Sequence, residues 1–359
     1  MRRLLVSFGS AVLLLAGFVA LLNPARLAAQ LADASLSTFL LGPVAILGAM
    51  VCWSEASRLL FASSDSRISS WRAFRAYGAG AFGKLVLPMG NAGGPAVMAY
   101  AFEREVDVGY SRSLAVIAVA EFLSLLASIL LALVGVTVLF AVGVTTPVVR
   151  LLGVAALVVA VALAALGVVV WYRRTAVSGA LVTVTRVVEP AVRRVSPGLA
   201  AKLAPDRVTA GLERYYETFE TVVADRRTVV VAFLVTQLGW LLFALPLFTS
   251  ALALGTPVPV ALALFLVPAV GVATVVPLPG GLGGIEFALV GLLTTLATFD
   301  LTGAGAVVVL YRLCSFWFFV LVGAVAAWTA TVGIRELPAS LDEPAVALET
   351  PAGVDADDD

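Results

Sequence analysis

The sequence predicts an all-α polytopic membrane protein with about six full transmembrane helices and two re-entrant helical hairpins broken by proline and glycine. Of its 359 residues, 61% are hydrophobic and 13% are charged, whereas soluble domains average roughly 45–50% apolar and about 25% charged residues. Mean hydropathy is +1.05. Several apolar runs also exceed the roughly 20 residues that a helix needs to cross a bilayer.

Six uninterrupted apolar runs predict the full spans, at 4–22, 36–61, 113–143, 150–172, 229–254 and 303–333. Arg2 and Arg3 precede the first run, as in a cleaved secretory signal. Its apolar core is longer than the roughly 7–15 residues of such signals, so we expect it to be retained as a membrane helix.

Two further apolar stretches, 76–101 and 259–299, are interrupted by related motifs. "LPMGNAGG" (Leu87 to Gly94) and "LPGGLGG" (Leu278 to Gly284) share a Leu-Pro-x-Gly start and a later Gly-Gly pair. A long apolar helix with one charge follows each motif at a similar interval, carrying Glu121 in the first case and Arg312 in the second. This pattern indicates an inverted repeat.

The distribution of Lys and Arg favours one topology. If both broken stretches return to the side they enter from, nearly all loop arginines and the basic cluster between Arg173 and Arg227 face the cytoplasm, and only Arg26 and Arg150 face out. Cytoplasmic loops are enriched in Lys and Arg. We therefore predict a multi-pass protein of the plasma membrane with both termini in the cytoplasm.

The membrane domain is predicted to cover 1–333, with one cytoplasmic insertion at 173–228. Within it, "GLERYYETFETVVADRR" predicts a single amphipathic helix that leads into the span at 229. A solvated surface helix is one interpretation, and a basic surface near anionic headgroups is the other. The remaining segment, 334–359, is acidic and is predicted to be a disordered tail.

The broken backbone suggests a polar site inside the membrane. Unpaired amides in hydrocarbon cost several kcal/mol each, so a broken helix is tolerated only inside protein or along a wet cavity. Proline ends the incoming helix, and glycines allow positive φ and close backbone approach. A helix restarting near Gly284 would expose free N–H groups that attract anions, although Glu286 could satisfy them itself.

The ionisable residues support this site. Lys84, Glu121, Glu286 and Arg312 lie in or beside apolar segments, where each costs at least about 2.5–3.5 kcal/mol. We predict that Lys84 pairs with Glu121 and that Glu286 pairs with Arg312, whereas Glu55 and Arg58 form an ordinary surface pair. A purely structural role for the pairs, and close helix packing for the glycines, are the alternatives.

The candidate substrate-binding residues therefore surround the two breaks. They are Lys84, Pro88, Gly90, Asn91, Gly93, Gly94 and Glu121 for the first, and Pro279, Gly280, Gly281, Gly283, Gly284, Glu286, Tyr311 and Arg312 for the second.

Other chemistries find little support in the sequence. The chain has no His and only two cysteines, Cys52 and Cys314, without metal-ligand spacing. No nucleophile–base set and no nucleotide-binding loop are recognisable. We expect no metal, cofactor or nucleic-acid partner, and no enzymatic activity.

The second motif resembles the transmembrane region of lysylphosphatidylglycerol synthase, a flippase-like family. "PLPGGLGGIE", followed by Tyr311 and Arg312 in the last long helix, carries the resemblance, together with the earlier Pro–Gly break. It extends over roughly 5–333. In the bacterial multiple peptide resistance factor this region is associated with moving aminoacylated phospholipid across the membrane. The matching positions are Pro88, Glu121, Pro279, Gly280, Gly281, Gly283, Glu286 and Arg312.

Two departures limit what the resemblance implies. Many members carry Arg and a Gly-Glu pair after the first proline, where this chain reads Met89, Gly90, Asn91 and Ala92; many also have Glu-Arg where it has Glu121 and Phe122. The first half of the site thus lacks charges that could recognise a headgroup. We also expect no aminoacyltransferase domain and hence no lipid aminoacylation.

Three functions follow as hypotheses. The first is translocation or handling of an anionic lipid, either a phospholipid or a polyprenyl-phosphate-linked lipid, at a midplane polar site. The second is secondary transport of a small anion, with Glu121 or Glu286 coupling protons. The third is a non-transporting accessory subunit of a glycolipid or cell-envelope pathway, with a glycosyltransferase or lipid-modifying enzyme as its partner. The sequence does not predict an oligomeric state.

Overall fold

The computed structural model describes residues 17, 20, 22–64, 66–87, 90–106, 108–144, 146–195, 205–271, 279–297 and 299–330. Every regular element in these ranges is helical, in agreement with the predicted all-α class. Most of the predicted span 4–22, Pro88 and the predicted tail 334–359 lie outside the described residues.

The α-helices are α1 (Pro24–Ala32), α2 (Leu36–Ala62), α3 (Ser70–Val86), α4 (Gly90–Val106), α5 (Tyr110–Ala141), α6 (Pro147–Tyr172), α7 (Arg174–Val195), α8 (Pro205–Ala224), α9 (Arg226–Ala253), α10 (Val260–Ala269), α11 (Gly284–Leu296) and α12 (Leu301–Thr329). A 3-10 turn at Pro279–Gly281 precedes α11. A π-helical segment, Leu313–Phe318, lies inside α12.

Among the described residues, four helices are long and apolar enough to cross a membrane. They are α2, α5, α9 and α12, and they correspond to the predicted spans 36–61, 113–143, 229–254 and 303–333. Helix α6 covers the predicted span 150–172 and has 26 residues. Its apolar stretch within the described side chains is shorter, at Pro147–Ala162.

Short polar side chains fix where several helices begin. Ser69 accepts a hydrogen bond from the N–H of Arg72 at the start of α3 (3.4 Å). Asp225 accepts one from Thr228 before α9 (3.1 Å), and Asp300 accepts one from Gly303 before α12 (3.0 Å). Each cap satisfies one of the first amides of its helix.

Contacts between chain segments define two ends of the helical bundle. At one end Arg26 Nη1 lies 2.8 Å from Asp300 Oδ2, and the N–H of Ser35 donates to the carbonyl of Ala253 (2.8 Å). This region, the Asp300 end, contains the starts of α2 and α12 and the end of α9.

The opposite region, the Glu105 end, is organised around a fully buried carboxylate. Arg75 Nη2 lies 2.8 Å from Glu105 Oε2, and Arg75 Nη1 donates to the carbonyl of Thr329 at the end of α12 (2.7 Å). Arg72 also donates hydrogen bonds to the carboxylate and to the backbone carbonyl of Glu105. Helix α8 packs on α5 close to its first turn, where Gly211 lies beside Ser111.

The first broken stretch is an antiparallel pair of helices, α3 and α4. Gly80 lies against Met98 near the middle, and Gly94 lies against the Lys84 side chain near the break. The pair spans 70–106, longer than the predicted 76–101. Arg72, Arg75 and Glu105 resemble loop charges in the sequence, whereas in the fold both arginines bind the one carboxylate.

The second broken stretch leaves from and returns to the other end of the bundle. It follows Ala253 and precedes Asp300, both at the Asp300 end. Its described helices, α10 and α11, lie within residues 259–299. The two breaks are therefore approached from opposite ends of the bundle.

The insertion contains two described helices, and the second, α8 (Pro205–Ala224), contains most of the stretch predicted to form one amphipathic helix. Helix α7 packs against α8, and α8 ends at Ala224. It leads into α9 through Asp225, which leaves the helix and caps α9 with its side chain.

Candidate functional site

Three glycines shape the second break. Gly280, Gly281 and Gly283 have φ values of +56°, +65° and +87°, which L-residues with a Cβ rarely adopt. An ideal Cβ on Gly280 would lie 2.0 Å from a carbon of the Phe316 ring. The predicted use of these glycines, positive φ and close approach, is confirmed at Gly280.

A buried ion pair holds this break to α12. Arg312 Nε lies 2.7 Å from Glu286 Oε1, and the two side chains are only 8% and 3% exposed. Glu286 Oε2 accepts from the N–H of Gly283 (2.7 Å), and Arg312 Nη2 donates to the carbonyl of Gly280 (3.0 Å). The predicted pair is confirmed, as is the suggestion that Glu286 satisfies an amide of the restarted helix. We refer to these four residues as the Arg312 cluster.

Each ion of the Arg312 cluster has a second hydrogen-bond partner, the Gly283 N–H for Glu286 and the Gly280 carbonyl for Arg312. The guanidinium also lies 4.7 Å from the centroid of the Phe316 ring. The attraction within a buried ion pair offsets the cost of desolvation only when further hydrogen bonds serve the two ions. The cluster therefore connects the start of α11 and the 3-10 turn to α12 through hydrogen bonds.

The second predicted pair is more accessible. Lys84 Nζ lies 2.9 and 3.1 Å from the two Glu121 oxygens. The side chains are 29% and 30% exposed, and the pairing prediction is confirmed. The Lys84 stem also lies against Gly94, where an added Cβ would come within 2.9 Å of Lys84 Cε. Gly94 thus leaves room for the lysine to reach across α4 to α5.

A cavity of about 200 Å³ contains this pair. Lys84 and Tyr77 come from α3, Glu121 and Ser124 from α5, Trp53 from α2 and Trp240 from α9. Trp240 Nε1 donates to Ser124 Oγ (3.0 Å), whereas the buried Nε1 of Trp53 has no hydrogen-bond partner among the described residues. The result is a Lys–Glu pair inside aromatic walls.

Gly239 allows the aromatic wall to form. An ideal Cβ there would lie 2.6 Å from Trp53 Nε1, so α9 can approach the indole only without a side chain at this position. The Trp53 ring then packs on Trp240 and Phe243 at centroid distances of 5.6 and 5.3 Å.

The two breaks meet beside the cavity. The turn Pro279–Gly281 lies against both α3 and α4, and Leu282 and Phe316 pack with Leu85. Leu85 also lines the cavity, as does Ser315 of the π-helical segment. Glu286 and Arg312 are not among the described residues that line it.

The candidate residues thus fall into two groups around one junction. Lys84 and Glu121 line the cavity, whereas Gly280, Gly283, Glu286 and Arg312 form the cluster. Gly90 and Asn91 lie in the first turn of α4, Gly93 is exposed, and Gly284 begins α11. Pro279 and Gly281 belong to the 3-10 turn, and Tyr311 is buried in the apolar core. Their roles in substrate binding remain predictions.

Sequence reasoning missed the aromatic wall and the Glu105 end. Trp53, Tyr77 and Trp240 lie within apolar runs, where an aromatic residue facing a cavity cannot be distinguished from one facing lipid or core. Glu105 stands in the mixed-charge stretch "EREV", which is typical of a loop. The sequence feature that could have indicated the Glu105 end is a carboxylate, Glu105, that follows a helix containing two arginines, Arg72 and Arg75.

Fold and site together define a helical integral membrane protein with two broken helical segments joined at an internal polar junction. A family model described as "Lysylphosphatidylglycerol synthase TM region" matches residues 4–323. The chain belongs to this family, as the "PLPGGLGGIE" motif predicted.

One curated relative has a partial match. Over 101 residues, 28% of this chain, the sequence is 35% identical to "UPF0104 membrane protein MJ1078" of Methanocaldococcus jannaschii. The matched part is 43% of that protein's length.

Proposed function

We propose that this protein translocates or handles an anionic lipid, with the headgroup entering the Lys84–Glu121 cavity while the hydrocarbon chain stays in the bilayer. The observation that carries the proposal is the partly exposed ion pair in an aromatic-walled cavity beside the junction of the two breaks. The two broken segments would be re-entrant hairpins that form an inverted repeat around this site.

The charge of the cavity suits a phosphate. Lys84 has one ionic partner among the described residues, Glu121, and both are accessible. A phosphate can therefore replace Glu121 as the partner of the ammonium. Arg312 is buried, is already bonded to Glu286 and Gly280, and lies against the Phe316 ring. We therefore assign headgroup recognition to Lys84 and not to Arg312.

The size and surroundings of the cavity fit a headgroup. About 200 Å³ is below the roughly 300–1,000 Å³ of sites that enclose a whole drug-sized ligand. Phe122 and Leu125, next to Glu121 on α5, are 44% and 39% exposed. Exposed apolar side chains beside the pair support access from the lipid side.

Small-anion transport is the second candidate, and the same pair favours it. A small anion that displaces Glu121 would pair with Lys84 in the confined cavity. An accessory role without transport is the third candidate.

The test uses purified protein in vesicles that contain labelled phosphatidylglycerol or labelled polyprenyl phosphate, with leaflet exchange measured by chemical quenching of the outer label. We expect exchange above that of empty vesicles, and a large loss in Lys84→Met. Glu55→Gln/Arg58→Gln is the matched control, since that pair has a similar exposure, 25% and 30%, and lies outside the cavity. It should keep the activity.

The other candidates give different results. Small-anion transport would show as uptake of labelled phosphate that depends on a pH gradient, without lipid exchange. No movement of lipid in any preparation would exclude lipid translocation.

A further inference from the structure

A buried hydroxyl on the wall of the cavity has no hydrogen-bond partner. Ser315, in the π-helical segment of α12, lines the cavity and is only 5% exposed. Its Oγ makes no hydrogen bond to any described residue. The Tyr311 hydroxyl lies close to it but does not complete a hydrogen bond with it. Because an unpaired buried hydroxyl costs free energy, the free space beside Ser315 is where a partner for it would bind.

The π-helical segment explains why Ser315 reaches the cavity. Arg312 and Phe316, four residues apart, share one side of the helix, where the guanidinium lies over the ring. In a regular α-helix Ser315, three residues after Arg312, would also lie towards that side. A π turn takes up one more residue than an α turn, so the segment Leu313–Phe318 rotates Ser315 away from Arg312. Such turns are frequent at functional sites.

Ser315 lies at the same level of the bundle as Lys84. Leu85, which follows Lys84 on α3, packs with Phe316, which follows Ser315 on α12. Both Lys84 and Ser315 line the one cavity of about 200 Å³. A phosphate bound to the Lys84 ammonium would therefore share this small space with the Ser315 hydroxyl.

The other two serines of the lining already have a hydrogen bond each. Ser57 Oγ donates to the carbonyl of Trp53 within α2 (3.0 Å), and Ser124 Oγ accepts from Trp240 Nε1 (3.0 Å). Among the described serines of the lining, Ser315 is thus the one whose hydroxyl has no partner.

We propose that the Ser315 hydroxyl donates a hydrogen bond to the phosphate that the Lys84 ammonium binds, so that one phosphate is held between α3 and α12. This assignment rests on the proposed function and adds to it a second phosphate ligand. Ser315 then favours headgroups that carry a phosphate oxygen over headgroups without one. It also connects the headgroup to the second break, because Arg312 on the same helix is bonded to Glu286 and Gly280.

The test measures the unfolding temperature of the purified full-length protein in detergent with three probes. They are phosphatidylglycerol, diacylglycerol with the same acyl chains but no phosphate, and inorganic phosphate. A ligand that binds the folded protein raises this temperature. We expect phosphatidylglycerol, but not diacylglycerol, to raise it in the wild type. Ser315→Ala should need at least about tenfold more phosphatidylglycerol for the same rise, because one hydrogen bond to a charged group is lost.

Ser250→Ala is the matched control. Ser250 is fully buried on α9, its hydroxyl also lacks a partner among the described residues, and it does not line the cavity. Without ligand, both alanine variants should unfold at or above the wild-type temperature, because each loses an unpaired buried hydroxyl. Only Ser315→Ala should respond more weakly to phosphatidylglycerol. Ser315→Cys, which has a similar shape but a weak donor, should resemble Ser315→Ala.

An unchanged response in Ser315→Ala, or an equal loss in Ser250→Ala, would overturn the role of Ser315 and leave the proposed function intact. A rise with inorganic phosphate alone that depends on Ser315 would support the phosphate contact and show that the ligand is a free anion instead of a lipid. A wild-type protein that responds to none of the probes would refute the proposed function itself, and the Ser315 contact with it.

Discussion

At the residue scale, the Glu286–Arg312 ion pair differs from the Lys84–Glu121 ion pair in its burial and in its hydrogen bonds to the backbone. The first pair is buried and bonded to two backbone groups, Gly280 and Gly283. The second pair is partly exposed and faces a cavity. Burial makes the first pair costly to break, whereas exposure leaves the second pair free to exchange partners.

Neutralising one member of the buried pair should strongly destabilise the protein. Removing one partner of a buried ion pair typically costs about 3–5 kcal/mol, because the other charge stays buried. We expect Glu286→Gln to lower the unfolding temperature in detergent far more than Glu55→Gln, because the Glu55–Arg58 pair is partly exposed to solvent and exposed pairs contribute about 0–1 kcal/mol. Equal effects of the two changes would contradict the burial of the cluster.

Exchanging Glu286 and Arg312 should restore little of the lost stability. An arginine at 286 cannot accept from the Gly283 N–H, and a glutamate at 312 cannot donate to the Gly280 carbonyl. Thermal unfolding of Glu286→Arg/Arg312→Glu tests this expectation. Recovery to the wild-type unfolding temperature would show that these backbone bonds contribute nothing.

Gly280 should tolerate no side chain while Phe316 is present. We expect Gly280→Ala to destabilise the protein through the ring clash and the positive φ, and Phe316→Ala to cost less in that background than in the wild type. The unfolding temperatures of the four proteins form a double-mutant cycle. Additive changes would indicate that the ring and the glycine are not in contact.

At the scale of helices, the α3–α4 pair depends on close approach to α12. An ideal Cβ on Gly78 would lie 2.5 Å from Ala326 Cβ, and one on Gly323 would lie 2.9 Å from the Gly78 carbonyl. Small residues at such contacts let membrane helices pack closely.

Filling this contact should therefore separate α3 from α12. We expect Gly78→Leu to cost about 1–3 kcal/mol, as overpacking usually does. Gly291→Ala is the control, because nothing lies within 4 Å of its Cβ position and a helical Gly→Ala change is worth about 0.5–1 kcal/mol of stabilisation. Thermal unfolding distinguishes the two, and a neutral Gly78→Leu would argue against this packing.

Hydropathy predicted the four long spans and the positions of both breaks, because apolar runs and Pro–Gly motifs are local signals. It did not predict where α3 and α4 begin and end, since Arg72, Arg75 and Glu105 are neutralised only by contacts across the pair. The charge pairs were predictable from the cost of isolated ions in lipid. The cavity was not, because Trp53 and Trp240 meet only through the packing of α2 against α9.

At the scale of the whole molecule, the two breaks are approached from opposite ends of the bundle. Arg67 is exposed close to the Glu105 end, and Thr256 is exposed close to the Asp300 end. In a Cys52→Ala background, we expect a membrane-impermeant maleimide to label Thr256→Cys on intact cells and Arg67→Cys only after the cells are opened. Labelling of both from the outside would contradict the charge-derived topology.

The central claim is that the two broken segments meet inside the membrane beside the Lys84–Glu121 cavity. Cysteine cross-linking of Leu85→Cys with Leu282→Cys in native membranes tests it most directly, with Leu85→Cys/Leu292→Cys as the control on α11. We expect rapid cross-linking of the first combination, little of the second, and protection of both junction cysteines from impermeant maleimide. Failure of Leu85→Cys and Leu282→Cys to cross-link, together with free labelling of either from the aqueous phase, would contradict the claim.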